Sequence, residues 1–272
     1  MSAAPTDTRW IDLEGAVNVR DLGGLPLAYG GTTNAGVLLR SDNLQSLTPA
    51  DVEELVERRR LQVVVDLRTG VEVEREGPGP LIADARVDVR HRSLYPEAGE
   101  TTDVDVDDAT EIPAGLLPWQ VHGLGGHDTD ESPAVRAYLR YLRDRPDSVV
   151  GALHDIEATS GATLVHCAAG KDRTGMVCAF ALTVAGVERH AIVEDYAITG
   201  ERIEQILARL KSSPTYAADL DGKPAHVHSP RPETMVRVLE LLDERHGGVR
   251  GWLTEHGFGE AAQQRLAARL TG

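Results

Sequence analysis

The feature that most constrains this chain is the short segment His166-Cys167-Ala168-Ala169-Gly170-Lys171-Asp172-Arg173-Thr174-Gly175, which joins two apolar runs. The run before it, residues 162–166, is rich in β-branched side chains, which predicts a buried strand. The run after it, residues 174–185, is apolar almost throughout and is followed by Gly186, which predicts a core helix that ends at this glycine. The sequence therefore places a tight loop between a buried strand and a helix N-terminus.

A loop in this position is suited to binding an anion. Unpaired backbone N–H groups and the positive end of the helix dipole both favour negative charge at a helix N-terminus. Gly170 permits a positive φ, which allows successive N–H groups to turn inward around a phosphate. Arg173 stays charged at any working pH, and its planar fork can hold two phosphoryl oxygens at once. We therefore predict a phosphate-binding loop formed by Ala168, Ala169, Gly170, Lys171, Asp172 and Arg173.

Cys167 lies at the rim of this loop. A thiol beside a helix N-terminus and an arginine has its pKa lowered from ~8.5 into the range of about 3.5 to 7.5. We therefore expect Cys167 to be a thiolate at neutral pH and to act as a nucleophile. An ordinary buried cysteine is the alternative, but it leaves the neighbouring Arg173, Lys171 and Asp172 unexplained.

A nucleotide-binding Walker loop does not fit the spacing of this segment. That motif needs a glycine separated by four residues from its Gly-Lys pair, and Ser or Thr directly after the pair. This chain has Val165 at the first of these places and Asp172 at the second. The Walker interpretation therefore fails at both positions.

The segment resembles the signature of the cysteine-dependent protein tyrosine phosphatases, in which His-Cys is followed by five residues, Arg, and Ser or Thr. Residues 170–175 are similar, more narrowly, to the bacterial tyrosine phosphatases of the mycobacterial B type. Segments that resemble the same family recur at residues 18–24, 39–42, 65–69 and 194–196, so the resemblance covers nearly the whole chain. It implies hydrolysis of phosphotyrosine in proteins, extended to phosphoserine, phosphothreonine and phosphoinositides, without a metal or another cofactor.

The resemblance also implies roles for individual residues. Cys167 attacks phosphorus to give a phosphocysteine, which water then hydrolyses. The loop N–H groups and Arg173 hold the equatorial oxygens, an electrostatic arrangement that dominates phosphoryl transfer. Thr174 Oγ donates a hydrogen bond to the thiolate, and His166 fixes the loop through hydrogen bonds rather than acting as a base.

Three carboxylic acids compete for the role of protonating the leaving alcohol. Asp172 is the first choice, because it lies inside the loop and the B-type enzymes carry Asp at this place. Glu97 is the second choice: Tyr95-Pro96-Glu97 falls where many tyrosine phosphatases place an acid on a Trp-Pro-Asp loop, but Glu replaces the usual Asp. Asp66 is the third. A structural role for Asp172, as a partner of neighbouring N–H groups, is the alternative.

Lys171 and Ala168 bear on the class of substrate. By resemblance to relatives that dephosphorylate lipids, Lys171 reaches ring phosphates of an inositol lipid, whereas a solvated side chain is the alternative. Ala168 stands where the dedicated lipid phosphatase has Lys, which favours phosphotyrosine. Two other functions remain as alternatives: a non-catalytic phosphate or phosphoinositide binding module on the same fold, and a rhodanese-type sulfur transferase, whose loop is unlike this one.

Strand and helix patterns alternate along the chain, which predicts an α/β fold. Residues 61–65 have the pattern of a buried parallel strand with Asp66 and Arg68 at its C-terminal end, where open α/β sheets place their sites. Residues 85–90 alternate as another strand, and residues 96–130 have the composition of a loop. Helices are predicted at residues 48–60, 132–143, 146–159, 200–210 and 232–245.

We therefore expect a central, parallel-rich sheet flanked by helices, as in the cysteine phosphatase fold, with residues 1–272 forming one domain. The resemblance implies that residues 202–234 form a helical lid over the site, and a plain pair of core helices is the alternative. A buried ion-pair network is the favoured interpretation of five charged residues, over direct contact with substrate. These residues are Arg20, Asp21, Arg40, Asp66 and Arg68.

The net charge of −15 argues against binding to nucleic acid, which needs a basic face. No hydrophobic run reaches the ~20 residues that span a bilayer, and the N-terminus lacks the apolar region of a signal peptide. We therefore expect a cytoplasmic protein without an integral membrane segment; export without a cleavable signal stays open, as does the oligomeric state.

The remaining candidate ligands and thiols favour structural roles. Cys178 lies on the predicted core helix, and a buried structural thiol is favoured over a partner for oxidised Cys167. With one cysteine assigned to catalysis, no disulfide framework is expected, which indicates a reducing compartment. His226 and His228 have a spacing that suits a metal, but no third ligand is placed, so no metal site is predicted.

Overall fold

A five-stranded sheet lies at the centre of the part of the protein that the computed structural model describes, namely residues 9–96, 117, 131–220, 222 and 224–272. Its strands are β1 (Arg20–Asp21), β2 (Leu38–Ser41), β3 (Leu61–Asp66), β4 (Asp88–His91) and β5 (Ala162–His166). Their order is β1-β2-β5-β3-β4, with β1 antiparallel to β2 and the other neighbours parallel. The predicted α/β fold with a parallel-rich sheet is confirmed.

Helices make up most of the rest of the described chain. They are α1 (Pro49–Glu53), α2 (Gly70–Glu76), α3 (Pro133–Asp144), α4 (Pro146–Ala158), α5 (Asp172–Ala185), α6 (Arg189–Ile198), α7 (Ile203–Ser212), α8 (Ala217–Leu220), α9 (Ala225–His228), α10 (Pro232–His246), α11 (Val249–Glu255) and α12 (Glu260–Thr271). A π-helical turn (Glu54–Arg58) follows α1, and 3₁₀ turns lie at Pro80–Ala83 and Thr199–Arg202.

The two central strands have helices on both faces. Val63, Val65 and Val165 belong to the larger apolar core, together with buried residues of α4 and α5. Val64 and Leu164 point the other way, into a second core that includes the π-helical turn. Because both faces are covered, functional side chains reach a site only from the ends of the strands. The parallel strands bring their C-terminal ends to one edge, as the sequence pattern predicts.

The loop between His166 and Thr174 has the predicted elements on either side. All of β5 is buried, and α5 begins at Asp172, slightly before the predicted range of 174–185. Gly186 ends α5 with a φ of 84°, a left-handed conformation that suits glycine. The strand predicted at 85–90 is also present, as β4.

The other predicted helices are present with small shifts at their ends. Those expected at residues 132–143, 146–159 and 232–245 are α3, α4 and α10. The helix expected over 200–210 starts as a 3₁₀ turn and continues as α7, and the one expected over 48–60 is α1 with its π-helical turn. The loop predicted from 96 to 130 falls almost entirely outside the described residues.

One buried carboxylate, that of Asp195, joins two of the predicted network residues. Arg20 Nε donates to Asp195 Oδ1 at 3.0 Å, and Arg40 Nη1 donates to Asp195 Oδ2 at 2.6 Å. Burial alone would raise the pKa of Asp195, but the two arginines lower it below its usual value. The prediction of a buried ion-pair network is confirmed for Arg20 and Arg40, with Asp195 as the acidic partner that the sequence analysis did not assign.

Asp66 and Arg68 form a second pair, whereas Asp21 has a different role. Arg68 Nη2 donates to Asp66 Oδ2 at 2.5 Å. Asp21 accepts the backbone N–H groups of Gly23 and Gly36 at 2.8 Å and 2.7 Å. The prediction that Asp21 joins the ion-pair network is wrong for the described residues, because its short side chain at the end of β1 satisfies nearby turn amides instead.

Candidate active site

The loop after β5 is held in a conformation that only glycine tolerates at its centre. Gly170 has a φ of 64°. A Cβ at this position would lie 2.3 Å from the carbonyl oxygen of Ser41, at the end of β2. The prediction of a positive φ at Gly170 is confirmed, and the neighbouring strand adds a steric reason for the glycine.

Polar side chains bind the loop carbonyls from outside. Asn18 Nδ2 donates to the carbonyl oxygens of Ala169 and Gly170 at 2.9 Å and 3.2 Å, and Arg40 Nη2 donates to that of Gly170 at 2.7 Å. In a trans peptide the C=O and N–H point in opposite directions. Holding the carbonyls outward therefore directs the N–H groups that follow them inward. Arg40, which Asp195 orients, thus acts on the loop itself.

Cys167 and Thr174 lie at the two ends of the loop, and both are buried. The side chain of Cys167 has a relative exposure of 2%. The expected hydrogen bond from Thr174 Oγ to Cys167 is not present: among the described residues Thr174 Oγ is buried and has no hydrogen-bond partner. An unpaired buried hydroxyl costs about 1–3 kcal/mol. A thiolate or a bound phosphoryl oxygen would supply the missing acceptor.

His166 is a neutral residue that contacts the loop backbone. Burial lowers the pKa of His166 to about 4, although Asp66 acts in the opposite direction. One ring nitrogen lies 3.3 Å from the carbonyl oxygen of Cys167, and the other lies 3.6 Å from Asp66 Oδ2. These contacts fit a positioning role rather than that of a base.

Asp66 is held in its ionised form. Burial alone would raise the pKa of Asp66, but His166 and the hydrogen bonds and charge of Arg68 lower it below its usual value. An acid catalyst has to carry a proton at the working pH. The lowered pKa of Asp66 therefore argues against this residue, the third choice, as the general acid.

Arg173 has a buried acidic partner that the sequence analysis missed. Its Nη1 and Nη2 donate to the two carboxylate oxygens of Glu72 at 2.6 Å and 2.9 Å. Burial alone would lower the pKa of Arg173, but Glu72 and the nearby Cys167 raise it well above its usual value. Arg173 therefore keeps its charge although it is buried. The guanidinium also lies over the ring of Tyr95, 5.7 Å from the centroid.

The position of Glu72 follows from the start of α2. Thr69 caps this helix: its hydroxyl accepts the N–H of Glu72, and the Glu72 carboxylate accepts the N–H of Thr69. The pattern Thr-x-x-Glu after a strand is a capping-box signal that the sequence shows. It would have located the helix start, but not the contact with Arg173.

Asp172 is bound by a tyrosine from another helix. Tyr138 Oη, on α3, donates to Asp172 Oδ1 at 2.6 Å, while the side chain of Asp172 stays 38% exposed. Lys171 Nζ lies 3.5 Å from Asp172 Oδ2 and donates to the carbonyl oxygen of His228 at 2.6 Å. These contacts differ from both alternatives predicted from the sequence. One was a role for Asp172 as a partner of neighbouring N–H groups, and the other was a solvated side chain for Lys171. Glu97, the second-choice acid, lies outside the described residues.

Helices α7 and α8 contribute to an apolar cluster that includes part of the loop. Ile206, Leu207 and Leu210 of α7 form an apolar cluster with Ala168 and Ala169. The cluster also contains Tyr216, between the two helices, whose Oη donates to Glu72 Oε1 at 3.0 Å. A cavity of about 410 Å³ lies beside the cluster, and Ala168 and Leu210 are among the residues that line it. The loop is therefore covered from the side of residues 203–220.

The second cysteine has the surroundings of a structural residue. Cys167 and Cys178 are both free thiols. Cys178 lies inside α5 among apolar side chains, and burial raises its pKa to about 12. A thiol with this pKa stays protonated and unreactive at neutral pH.

The described ranges contain neither a metal-binding cluster nor a membrane-spanning helix. No group of three or more His, Cys, Asp or Glu side chains there is arranged to hold a metal ion. In the same ranges, no helix combines the length and the apolar composition that a bilayer crossing requires. His226 and His228 lie on the short helix α9.

Comparisons with known proteins identify the family of the chain. The model of the tyrosine phosphatase family matches residues 11–272. The chain is 30% identical, over 96% of its length and 99% of the relative, to the triple specificity protein phosphatase PtpB of Mycobacterium tuberculosis. It is 29% identical, over 87% of its length and 74% of the relative, to a tyrosine-protein phosphatase of Nostoc commune. The crystal structure of P. aeruginosa TpbA is 16% identical, covers 75% of this chain and 86% of its own, and has a TM-score of 0.34. The match over nearly the whole length shows that the chain belongs to the tyrosine phosphatase family.

Proposed function

We propose that the protein hydrolyses phosphotyrosine through a phosphocysteine intermediate. The Cys167 thiolate attacks phosphorus, the Sγ–P bond forms, and the bond between phosphorus and the tyrosine oxygen breaks while Asp172 protonates that oxygen. Water then attacks phosphorus, the Sγ–P bond breaks, and Asp172 takes up the proton. The products are tyrosine and inorganic phosphate, with the thiolate and the acid restored.

The observation that carries this proposal is the preorganised loop. Its carbonyls are bound outward by Asn18 and Arg40, and Arg173 is held beside it by Glu72. A site of this kind stabilises the charge of the transferring phosphoryl group without reorganising during the reaction. The retained Cys167 and Arg173 favour catalysis over a non-catalytic binding module.

Asp172 is the acid that the surroundings support best. It is partly exposed and lies in the first turn of α5, next to Arg173. Asp66, by contrast, is buried and paired with Arg68. The carboxyl of Asp172 is therefore accessible to a substrate at the rim of the loop, whereas that of Asp66 is enclosed.

We further propose that residues 202–234 act as a lid within a single phosphatase domain. The packing of α7 on Ala168 and Ala169 supports this role, as does the bond between Tyr216 and Glu72. Cys167 is buried, and in this proposal the segment moves before a phosphotyrosine side chain reaches the thiolate. Residues 221 and 223 of the segment lie outside the described ranges.

The range of substrates extends beyond phosphotyrosine in this proposal. A relative of nearly equal length is named a triple specificity phosphatase, which supports activity on phosphoserine and phosphothreonine. Lys171 contacts the carbonyl of His228 on α9, so lid opening would free its ammonium group for ring phosphates of phosphoinositides.

The two free thiols fit a reducing, cytoplasmic location.

The direct test is hydrolysis of a phosphotyrosine peptide, a phosphoserine peptide and a panel of phosphoinositides by the wild type and by Cys167→Ser. The proposal expects turnover of phosphotyrosine by the wild type and none by the variant. Binding of phosphate without turnover by the wild type would favour the non-catalytic alternative. Equal turnover by both proteins would refute the mechanism.

A further inference from the structure

Two buried tyrosines form a line of hydrogen bonds that ends on Asp172. Tyr138 Oη on α3 donates to Asp172 Oδ1 at 2.6 Å, and it lies 2.9 Å from Tyr196 Oη on α6. Both side chains are almost fully buried, with relative exposures of 1% and 3%. Neither residue belongs to the phosphate loop, and the mechanism above does not use either of them.

The direction of every hydrogen bond in this line is determined by counting donors. A tyrosine hydroxyl has one hydrogen, and that of Tyr138 is directed to Asp172. Tyr138 Oη therefore accepts from Tyr196. The backbone N–H of Arg231, which precedes the first residue of α10, lies near Tyr196 Oη. The hydrogens of the line thus run from Tyr196 through Tyr138 to Asp172.

The bond from Tyr138 to Asp172 gives the line a fixed polarity. The backbone N–H of Arg231, which lies near Tyr196 Oη, favours the same direction because a backbone N–H can only donate. Successive bonds in a buried chain polarise one another in the same direction. Asp172 Oδ1 therefore accepts a hydrogen bond from Tyr138. The line cannot accept a hydrogen that is donated by Asp172.

We propose that Tyr138 and Tyr196 are positioning residues that reserve Asp172 Oδ1 as a hydrogen-bond acceptor, so that Oδ2 is the oxygen that carries the transferred proton. This inference rests on the proposed role of Asp172 as the general acid. A proton on Oδ1 would compete with the hydrogen of Tyr138 for the same space. Oδ2 is the remaining oxygen: Lys171 Nζ lies 3.5 Å from it, beyond the usual hydrogen-bond distance, and donates to the carbonyl oxygen of His228 instead.

The same contacts give the acid a fixed orientation. Tyr138 and Tyr196 come from two different helices, and their line of hydrogen bonds ends on the first turn of α5. An acid on a mobile loop has to be brought to the leaving oxygen in each turnover. Here the carboxyl plane is set in advance by packed elements, which lowers the cost of aligning the Oδ2 proton with that oxygen.

The test is the dependence of kcat/KM on the pKa of the leaving group, measured with a series of aryl phosphates. Good leaving groups need little protonation, whereas poor ones depend on the acid. Tyr138→Phe is expected to lower kcat/KM about tenfold or more for the poorest leaving groups, the worth of one hydrogen bond to a charged group, and to change it little for the best. A merely structural defect would lower all members of the series equally.

Tyr141→Phe is the matched control. Tyr141 lies on the same helix, is also buried, and its hydroxyl contacts Tyr95 Oη at 3.0 Å rather than Asp172. Its removal is expected to leave the leaving-group slope unchanged. Tyr196→Phe, which keeps the bond between Tyr138 and Asp172, is expected to steepen the slope less than Tyr138→Phe, and it provides a second test if Tyr138→Phe does not fold.

Asp172→Asn separates failure of the inference from failure of the proposed function. If Asp172→Asn steepens the slope and Tyr138→Phe and Tyr196→Phe do not, the acid is correct and the positioning inference is overturned. If Asp172→Asn leaves the slope unchanged, the acid assignment fails and the inference fails with it. In the Asp172→Asn background, Tyr138→Phe is expected to have no further effect on the slope; an equal effect in both backgrounds would also overturn the inference.

Discussion

Glu72 and Arg173, from separate helices, form a buried pair joined by two hydrogen bonds, so the arginine that we propose to bind phosphate is positioned before substrate arrives. Two charges of this kind stabilise each other only while both are present, because either one alone is costly in a buried site. The pair also links the loop to the proposed lid, since Tyr216 donates to the same carboxylate. Glu72 therefore contacts both the phosphate loop, through Arg173, and the proposed lid, through Tyr216.

Glu72→Gln is expected to lower both stability and activity. The change leaves Arg173 buried without a charged partner, which costs about 3–5 kcal/mol of unfolding free energy. Urea unfolding and kcat/KM for a phosphotyrosine peptide measure the two effects. The control is Glu74→Gln on the exposed face of the same helix, which is expected to change stability by about 0.5 kcal/mol or less. Similar effects of the two variants would contradict the role of the pair.

Gly170→Ala is expected to disrupt the loop. The position has a positive φ, and an added Cβ would lie 2.3 Å from the backbone oxygen of Ser41. Gly186→Ala is the control, because Gly186 also has a positive φ but has open space around the added Cβ. Gly186→Ala should lower the free energy of unfolding by about 1–2 kcal/mol, because alanine then has to adopt a left-handed conformation. Thermal unfolding and activity compare the two, and an equally mild Gly170→Ala would contradict the described packing.

Stability is expected to fall in acid because of His166. Its pKa is lowered from 6.5 to about 4 in the folded protein by burial, so the unfolded chain binds a proton at a higher pH than the folded one. The contribution of His166 to the free energy of unfolding is therefore fully present above pH 6.5. It is lost as the pH falls toward 4, by up to about 3 kcal/mol. Urea unfolding at several pH values measures this loss. His166→Gln should flatten the curve in that window, whereas the exposed His190→Gln should not; parallel curves for wild type and His166→Gln would contradict the account.

Tyr216→Phe is expected to shift the proposed lid toward an open state. The variant removes a hydrogen bond to a charged carboxylate, worth about 1.5–3 kcal/mol, which raises the open population about ten- to hundredfold. Iodoacetamide should then modify Cys167 faster, as peptide mass spectrometry would show. Tyr141→Phe should react at the wild-type rate. A Tyr216→Phe rate equal to that of wild type would contradict the proposal that this contact closes the lid.

The sequence predicted those parts of the site that are local in the chain. The loop, its strand and its helix follow from residues that are neighbours, and backbone physics at a helix start then indicates an anion site. Gly170 was predictable for the same reason. The parallel sheet also followed, because buried strands alternating with helices have few other arrangements.

Contacts between distant segments were not predictable in this way. Glu72 had a visible capping signal, but nothing in one sequence pairs it with Arg173. Nothing in one sequence singles out Tyr138, whose hydroxyl contacts Asp172 only because α3 packs beside α5. Asp21 was assigned to an ion pair by its charge, whereas the turn amides next to it determine its partners.

The central claim is that Cys167 forms a covalent bond to phosphorus, and rapid acid quenching during turnover of an aryl phosphate tests it most directly. Intact and peptide mass spectrometry of the quenched enzyme would locate any phosphoryl group. The account predicts one phosphoryl group on the peptide that contains Cys167 in the wild type, more of it in a variant that slows hydrolysis of the intermediate, and none in Cys167→Ser. Turnover by the wild type with no phosphorylated Cys167 peptide at any quench time, or with the phosphoryl group on another residue, would contradict it.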